Sequence, residues 1–381
     1  AGPLCSMYLA DLGAEVWKIE HPVRGDDTRQ WQPPALDGIS AYFLAMNRGK
    51  QSVAIDFAQV AGAGLVAQLA DRADVVVENF LPGALARHGL DCASLRARNP
   101  RLVTCTIGGY RSDGADAGRP GYDFIIQAES GLMAITGEPD GAPMRVGVAV
   151  ADVVTGLNAA TAILAALLQR ARTGVGEHVE IALIDAATAA LTNVAGSALM
   201  RGESPPRFGN AHEAIVPYQT FEAADGTLVV AVGNDAQFRG CCEALDLGDV
   251  AADQRFATNP ARVANREALV ELLVARLRTG TVASWLARLR AHGVPAGHVA
   301  PIAQALDARA ADGDLIASYR LTGGGAYRVV GSPLTLGGDR MTADRGAPRL
   351  GEHTVDVLAR ELELSTTAID ELARAGTIGG A

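Results

Sequence analysis

The stretch from Arg145 to Thr173 reads RVGVAVADVVTGLNAATAILAALLQRART and decides how the rest of the chain is interpreted. Its first part, Val146–Ala151, is a short apolar run with β-branched residues, which predicts a strand or an extended segment. From Val153 onward, apolar residues recur at three- and four-residue steps, as on one buried face of an α-helix, and Gly174 is a stop signal. One carboxylate, that of Asp152, is therefore predicted where extended chain turns into the first turn of a helix.

Asp152 has two interpretations at this point. An aspartate at a helix start is commonly an N-cap, whose side-chain oxygen accepts a backbone N–H. Alternatively, the carboxylate is a nucleophile that the helix N–H groups keep ionised and that attacks an activated acyl group. The helical position alone favours the cap, so the choice depends on the rest of the chain.

The composition narrows the possible functions. The chain has 381 residues, enough for a large core and two domains. Its net charge of −10 argues against nucleic acid as a partner. All 33 basic residues except Lys18 and Lys50 are arginine, and no glycine-rich loop ends in Lys-Ser or Lys-Thr, so there is no P-loop. A phosphate-binding site would therefore depend on Arg side chains and backbone N–H groups.

The cysteines and the apolar runs indicate whether the protein binds a metal, spans a membrane or lies in a reducing compartment. Five cysteines are scattered without the spacing of a metal site, which predicts no bound metal and reduced thiols in a cytoplasmic protein. No apolar run reads as long and charge-free enough to span a bilayer, and the helix after Asp152 is interpreted as a core helix. We therefore expect no membrane partner.

Strand and helix patterns alternate through the first part of the chain. Four apolar or alternating runs predict strands, and helical periodicity separates some of them. This alternation predicts βαβ units and a parallel sheet, which is an α/β fold. Ligands of such sheets bind outside the carboxyl ends of the strands, so polar loops are expected to crowd one rim. The predicted strands are Ala14–Glu20, Ser52–Asp56, Asp74–Glu78 and Leu102–Thr106, and the loops are 21–34, 47–51, 79–83 and 108–123.

The character of the sequence changes after residue 200. Arg201–His212 contains two prolines and two glycines among polar residues, which predicts a linker. Tyr218–Val232 predicts a β-hairpin with Asp225-Gly226 at its turn, and helical patterns follow at 236–247, 265–278 and 282–292. The expected organisation is an N-terminal part of a large domain at 1–200, a linker at 201–213, a small α+β domain at 214–301, and a return to the large domain at 302–381.

Eight blocks of the sequence carry a resemblance to a known family. They are AGPLCSMYLADLGAEVWKIEHPVRGDDTR, NRGKQSVAID, ADVVVENFLPGALARHGL, GRPGYDFIIQAESGLMAITG, VADVVTGL, RTGVGEHVEIALIDA, VGSPLTLGG and PRLGEHT. In this order, and across the whole chain, they resemble the class III CoA-transferases, the family of formyl-CoA transferase and carnitine CoA-transferase. A further block, AHEAIVPYQTF, is most similar to the branch that transfers CoA between dicarboxylates, such as succinyl-CoA–glutarate or –hydroxymethylglutarate transferases.

The resemblance implies a fold and an activity. The fold would be α/β, with a Rossmann-like, six-stranded parallel sheet in a large domain built from both chain ends, a small inserted α+β domain, and two chains interlocked as a homodimer. Asp152 matches the family's nucleophile, which forms covalent acyl intermediates. The substrates would be an acyl-CoA thioester, such as succinyl-CoA, and a free carboxylic acid, with no permanently bound cofactor.

The matching blocks also imply which residues surround the substrates. On the acceptor side, His212 is shared with the dicarboxylate branch and is expected to hold the distal carboxylate, with Arg207 nearby, while Gly209 is expected to offer a backbone N–H to the oxyanion. On the CoA side, His21 departs from the family, because relatives have an arginine at this position. Asp123 is expected either to hydrogen-bond near the nucleophile or to stabilise a turn. The CoA-side residues are His21, Asn79, Phe80, Arg87, Tyr122 and Asp123.

Two alternatives to a transferase stay open. The same family includes racemases of 2-methylacyl-CoA thioesters, which carry a His-Asp pair where this chain has Tyr122-Asp123. Racemisation needs two acid/base groups that flank the α-carbon, and a phenol is a poor substitute for imidazole at neutral pH. The other alternative is a CoA-binding protein without catalysis, in which Asp152 is only a cap.

Overall fold

The computed structural model describes residues 1–313 and 315–380, and the chain divides into two units. Unit 1 consists of Ala1–Leu132, Val146–Met200 and Ala308–Ala381, and unit 2 of Met133–Arg145 and Arg201–Asp307. Residues 133–145, which the sequence analysis assigned to the large domain, therefore group with the small unit. They do so because Arg207 donates hydrogen bonds to the carbonyl oxygens of residues 134, 138 and 141.

Helices and strands occur throughout the described residues. The helices are α1 (Gly2–Asp11), α2 (Ala41–Met46), α3 (Val60–Arg72), α4 (Cys92–Arg98), α5 (Asp123–Glu129), α6 (Leu132–Ile135), α7 (Val150–Thr173), α8 (Leu183–Ala189), α9 (Thr192–Arg201), α10 (Asp235–Ala244), α11 (Gly248–Ala252), α12 (Asn259–Ala264), α13 (Arg266–Leu277), α14 (Val282–Ala291), α15 (Ile302–Asp312), α16 (Thr354–Leu362) and α17 (Thr366–Arg374). The strands are β1 (Val16–Glu20), β2 (Ala35–Leu36), β3 (Ile39–Ser40), β4 (Lys50–Ala54), β5 (Val75–Glu78), β6 (Val103–Gly108), β7 (His178–Ala182), β8 (Tyr218–Glu222), β9 (Thr227–Ala231), β10 (Ala296–His298), β11 (Ile316–Arg320), β12 (Ala326–Val330), β13 (Thr335–Leu336) and β14 (Asp339–Arg340).

Parallel strands form the framework of unit 1, which confirms the predicted α/β class. Strand β1 pairs with β4, and β6 pairs with both β5 and β7, all in parallel. Among the described residues, these strands form a pair and a triplet rather than the single six-stranded sheet that the resemblance implies. Helix α1 contacts both β1 and β5. The C-terminal region adds an antiparallel bridge between Ile378 and Ile55.

Helix α7 is the central helix of unit 1. It packs against α1, α5 and α8 and against strands β6 and β7. Its buried residues recur at helical spacing, among them Ala159 and Ile163, which contribute to a core shared with Ile107 and Ile126. The helix ends at Gly174, whose φ of 77° is the left-handed conformation of a C-cap, as predicted.

The predicted strand before α7 is wrong. The helix begins at Val150, and residues 146–149 have no regular structure. Their backbone is bonded to a side chain instead of a neighbouring strand: Gln127 accepts the N–H of Val146 and donates to the carbonyl oxygen of Val148. This apolar run with β-branched residues therefore does not join a sheet, and residues 147 and 148 form a bend.

Contrary to the expectation that no apolar run is long enough to span a bilayer, α7 is long and apolar enough to cross a membrane by length and composition alone. The pair α8 and α9 is also apolar enough when taken together, but it is bent by 80°. Core helices of globular proteins can have the same length and composition. The residues of α7 that are buried within unit 1 are Ala151, Thr155, Gly156, Ala159, Ala160, Ile163 and Ala166.

Unit 2 contains the predicted hairpin and helices. Strands β8 and β9 pair antiparallel around Asp225-Gly226, and β10 joins β9 on its other side. Helices α10, α13 and α14 fall within or close to the predicted ranges and cover a core that includes Phe238, Leu273 and Trp285. Alternation of buried and half-buried residues in β9 fits a strand with one face against helices.

Candidate active site

The start of α7 shows that Asp152 is not the cap of its own helix. The N-cap position is Ala149, which has no side chain that could accept a hydrogen bond, and Asp152 is the third helical residue. The cap comes from another helix. Asp123, the first residue of α5, accepts the N–H of Ala151 at 2.9 Å and that of Asp152 at 3.5 Å through its Oδ1. The N-cap interpretation of Asp152 is therefore wrong.

Asp123 is itself held in place by a buried glutamine. Its side chain is buried, and its Oδ2 accepts a hydrogen bond of 2.8 Å from Nε2 of Gln127, one turn along α5. Gln127 is fully buried, and its amide also bonds the backbone of Val146 and Val148 at 2.9 and 3.2 Å. One amide group thus connects Asp123 to the segment that leads into the Asp152 helix.

The carboxylate of Asp152 lies where two helices begin. Its side chain is 31% exposed, and its Oδ1 lies 3.2 Å from the backbone nitrogen of Ala1, the N-cap residue of α1. This nitrogen is a donor both as an amine and as a peptide N–H. The positive ends of α1 and α7 therefore both lie near the Asp152 carboxylate.

A glycine allows this close approach. Gly156 lies one turn after Asp152 on the same face of α7. A Cβ at this position would come within 2.8 Å of the carbonyl oxygen of Ala1 and 3.1 Å of Cβ of Leu4. Any side chain there would push the start of α1 away from Asp152.

Two aromatic residues of unit 1 that the sequence analysis missed belong to this neighbourhood. Burial, together with the negative charges of Asp152 and Asp123, raises the pKa of Tyr42, so that its hydroxyl remains a donor. The ring of Trp31 contacts that of Tyr42 edge-on, with 5.1 Å between centroids. Trp31 lies in the polar loop that was expected at the rim of the sheet, and an exposed aromatic residue in such a loop was the available signal.

Asn79, Phe80 and Arg87 follow strand β5, as expected of residues at the rim of the sheet. Asn79 lies against the start of α1, because a Cβ on Gly2 would be 3.9 Å from its side chain. The half-exposed ring of Phe80 contacts the ring of Phe57, and Phe57 also contacts the ring of His88. His88 accepts a hydrogen bond of 3.0 Å from Arg87. These residues form one exposed patch.

The other two residues expected on the CoA side are arranged differently. His21 follows β1, and its Nδ1 accepts the N–H groups of Val23 and Arg24, so this imidazole stabilises its own loop. Tyr122 directly precedes Asp123 and is 73% exposed. The side chain of Tyr122 is thus accessible to a ligand, whereas that of Asp123 is hydrogen-bonded to the start of α7.

Gly209 and His212 belong to unit 2. Gly209 has a φ of 58° and lies beside Glu138, whose carboxylate would be 3.2 Å from an added Cβ. Nδ1 of His212 accepts the N–H of Ala214 at 3.0 Å, and its ring contacts that of Tyr218. The expectation that Arg207 is available for a carboxylate is wrong, because all three of its guanidinium nitrogens donate to backbone carbonyls of residues 134–141.

The cysteines are poorly suited to nucleophilic chemistry. All five are free thiols. Burial raises the pKa of Cys5, the one on α1, to about 11, and that of Cys241 to about 12. A protonated thiol is a weak nucleophile, so burial disfavours a nucleophilic role for these two cysteines.

Comparison with known proteins assigns this α/β chain to an enzyme family. The chain belongs to CoA-transferase family III, whose family model matches residues 1–354. It is 41% identical to the succinate–glutarate CoA-transferase of Agrobacterium fabrum, across 97% of this chain and 94% of that protein. It is 40% identical to the succinyl-CoA:glutarate CoA-transferase of Mus musculus, across 99% of this chain and 87% of that protein.

A solved structure has the same fold. The crystal structure of a CAIB/BAIF family protein from Brucella suis matches with a TM-score of 0.83 and 43% identity, over 95% of both chains. The resemblance identified from the sequence is therefore confirmed: the protein is an enzyme of the CoA-transferase type, and CoA thioesters are its substrates.

Proposed function

We propose that this enzyme transfers CoA from succinyl-CoA to a small dicarboxylic acid, with Asp152 as the covalent nucleophile. The observation that carries the proposal is the capping of α7 by Asp123, which leaves the Asp152 carboxylate half-exposed at the positive ends of two helices. The names of the two relatives above, which pair succinate or succinyl-CoA with glutarate, support the choice of substrates.

The first half of the reaction consumes the donor. An oxygen of the Asp152 carboxylate attacks the thioester carbonyl carbon, the C–S bond breaks, and CoA leaves as a thiolate, so that a succinyl–aspartyl anhydride remains. The thiolate then attacks the aspartyl carbonyl of this anhydride. Succinate leaves as a carboxylate, and Asp152 is converted to an aspartyl-CoA thioester.

The second half repeats these steps in reverse order with the acceptor. The acceptor carboxylate attacks the aspartyl thioester and releases the CoA thiolate, giving a new mixed anhydride. The thiolate attacks the acceptor's acyl carbon, which forms the product thioester and restores the Asp152 carboxylate. Each step exchanges one activated acyl group for another, so the energy of the thioester is conserved as long as water is excluded.

The oxyanions of these steps need hydrogen-bond donors. We propose the backbone N–H of Gly209 and the protonated hydroxyl of Tyr42 for this purpose. Tyr42 is supported by its raised pKa, to which burial and then the charge of Asp152 contribute, and Gly209 by a left-handed turn that only glycine adopts readily.

The patch formed by Asn79, Phe80 and Arg87 is our proposed CoA site. The exposed guanidinium of Arg87 suits a phosphate, and the exposed ring of Phe80 offers a surface for the adenine. Tyr122 would contact the pantetheine arm, because it is exposed next to the residue that caps α7. His21 is proposed as a weaker contact, since its Nδ1 is already bonded.

For the acceptor, we propose that His212 holds the distal carboxylate. Burying a free carboxylate costs several kcal/mol unless it is paired. His212 has one ring nitrogen bonded to its own loop, which fixes the orientation of the other. We also propose a homodimer in the cytoplasm, the former from the family resemblance and the latter from five free thiols.

The racemase alternative is not supported by the arrangement at 122–123. Both carboxylate oxygens of Asp123 accept hydrogen bonds from the start of α7 and from Gln127. A carboxylate committed in this way is not available to remove an α-proton.

Trapping of the intermediate tests the proposal. The enzyme is incubated with succinyl-CoA alone and quenched with hydroxylamine, and peptides are analysed by mass. A hydroxamate on Asp152 is expected, and its absence when the enzyme is active would remove the covalent assignment. Product masses from a panel of mono- and dicarboxylic acids then identify the acceptor. A preference for monocarboxylates, or dicarboxylate kinetics unchanged in His212→Ala, would contradict the acceptor assignment alone.

A further inference from the structure

We infer that Asp123, held by Gln127, is a positioning residue for the nucleophile. It takes over the capping of α7, so that the carboxylate of Asp152 is directed at the substrate instead of at its own helix. The inference rests on the proposed function of Asp152 and assigns a role to two residues that the reaction itself does not consume.

A helix start attracts any nearby carboxylate. The first four backbone N–H groups of a helix have no partner within the helix, and they lie at the positive end of its dipole. Ala149 cannot cap α7, because it has no polar side chain. Asp152, on the first turn, is the acidic residue of the helix itself that could fold back onto these donors.

Asp123 removes that possibility in two ways. Its Oδ1 accepts the N–H groups of Ala151 and Asp152, so these two donors are occupied. Its negative charge also lies beside the backbone of Asp152 and repels a second carboxylate from the same donors. The Asp152 carboxylate instead accepts a hydrogen bond of 3.2 Å from the backbone nitrogen of Ala1.

Gln127 makes the arrangement rigid. It is fully buried and lies four residues after Asp123 on α5, so both side chains point from the same face of that helix. Its amide bonds Oδ2 of Asp123, the N–H of Val146 and the carbonyl oxygen of Val148. The approach to α7 and the residue that caps α7 are thus fixed by one side chain, which leaves little freedom to the first turn that carries Asp152.

The experiment compares Asp123→Ala, Asp123→Asn and Gln127→Leu in the full-length enzyme. For each, kcat and KM for succinyl-CoA are measured, with the rate of Asp152 acylation followed by rapid quenching and mass. Loss of positioning should lower kcat and the acylation rate of Asp123→Ala by about 10- to 100-fold, while KM changes by less than about threefold. Asp123→Asn keeps an acceptor oxygen for Ala151 and should recover part of the loss, and Gln127→Leu should resemble Asp123→Ala.

Asp91→Ala is the matched control, because Asp91 also caps a helix in unit 1, α4. It should lower the melting temperature and leave kcat unchanged. Acylation in Asp123→Ala within about twofold of wild type would overturn the inference. If Asp123→Ala does not fold, Asp123→Asn decides in its place: a severalfold slower acylation supports positioning, and an unchanged rate overturns it.

Asp152→Asn separates this inference from the proposed function. If that variant retains turnover, Asp152 is not the nucleophile and the proposed function fails, whatever the Asp123 variants do. If Asp152→Asn is inactive and Asp123→Ala acylates at the wild-type rate, only the positioning role of Asp123 fails.

Discussion

Two helix starts of unit 1 carry an aspartate and use it differently. At α4, Asp91 is the N-cap, and its carboxylate accepts the N–H and the hydroxyl of Ser94 at 3.0 and 2.6 Å. At α7, the N-cap residue has no polar side chain, and the cap is the carboxylate of Asp123 from another helix. Asp152 therefore lies at a helix start without capping it.

The difference bears on the role proposed for Asp152. The carboxylate of Asp91 is saturated by two local donors, and these hydrogen bonds lower its pKa. Because both of its oxygens accept hydrogen bonds, this carboxylate is less available to attack an electrophile. The carboxylate of Asp152 lies at the same kind of positive helix end, but Asp123 accepts the backbone N–H groups of residues 151 and 152. It remains partly exposed, as the proposed attack on a thioester requires.

The largest effect is expected for Asp152→Asn. The side chain keeps its shape but loses the charge on which the proposed attack on the thioester depends, so turnover should fall by at least about 1,000-fold, with the melting temperature nearly unchanged. Steady-state kinetics with succinyl-CoA and the preferred acceptor measure the effect. Turnover within about tenfold of wild type would mean that the two helix starts do not differ in function.

Gly156→Ala should be the next most damaging change. The new methyl would come within 2.8 Å of the carbonyl oxygen of Ala1, so α1 must shift away from Asp152. Overpacking of this kind costs about 1–3 kcal/mol, which outweighs the gain in helix propensity of up to about 1 kcal/mol. Turnover should fall about tenfold as the donor at Ala1 moves.

Gly64→Ala is the control for that substitution. Gly64 lies in α3, and an added Cβ meets nothing within 4 Å. Its replacement should therefore stabilise the protein by up to about 1 kcal/mol without changing turnover. If urea denaturation shows the same stability change for both variants, the close approach of α1 and α7 does not constrain Gly156.

Much of this site could be predicted from the sequence, because its signals are local. The three- and four-residue spacing of apolar residues identified α7 and its end at Gly174, and the apolar run at β5 placed Asn79 and Phe80 at a sheet rim. The run at Val146–Ala151 misled for a local reason as well. β-branched residues favour extended backbone, but they do not specify whether a neighbouring strand is present.

The parts that were missed depend on contacts between distant segments. Gln127 is an ordinary helical residue by sequence, and only the folding of 146–148 against α5 gives it three backbone and side-chain partners. Gly156 resembles any helical glycine until α1 is packed on it. Arg207 was interpreted as a free cation, because its carbonyl partners at 134–141 lie about 70 residues earlier in the chain.

A third helix start, that of the short 3₁₀ helix Asp27–Gln30, predicts a pH dependence of stability. Burial alone would raise the pKa of its N-cap residue, Asp26, but the charge and hydrogen bond of Lys18 and the bonds from Thr28 lower it from 3.8 to about 2. A lowered pKa in the folded state stabilises the protein above the unfolded value, and this contribution is lost as the pH falls through the folded value.

The comparison of wild type with Asp26→Asn isolates this contribution. Above about pH 4 the wild type should be more stable by about 2 kcal/mol, and the difference should shrink as the pH falls towards the folded pKa of about 2, where half of Asp26 is protonated. Urea denaturation at several pH values measures it. A difference that does not depend on pH would show that the charge of Asp26 is unimportant, and that this start is a neutral cap.

The smallest effect is expected for Asp91→Ala. The change removes the acceptor for the N–H of Ser94, so one donor at the start of α4 must turn to water. Loss of an N-cap of this kind costs about 1 kcal/mol. Helix α4 packs against β6 and α3, so the loss should appear as a lower midpoint of urea denaturation for unit 1. Turnover and KM should remain those of wild type, because the carboxylate of Asp91 is bonded only to its own first turn in the described contacts. A fall in turnover as large as that of Asp123→Ala would mean that any weakened helix start in unit 1 impairs the enzyme. The special role of the Asp123 cap would then have to be given up, although Asp152 could still be the nucleophile.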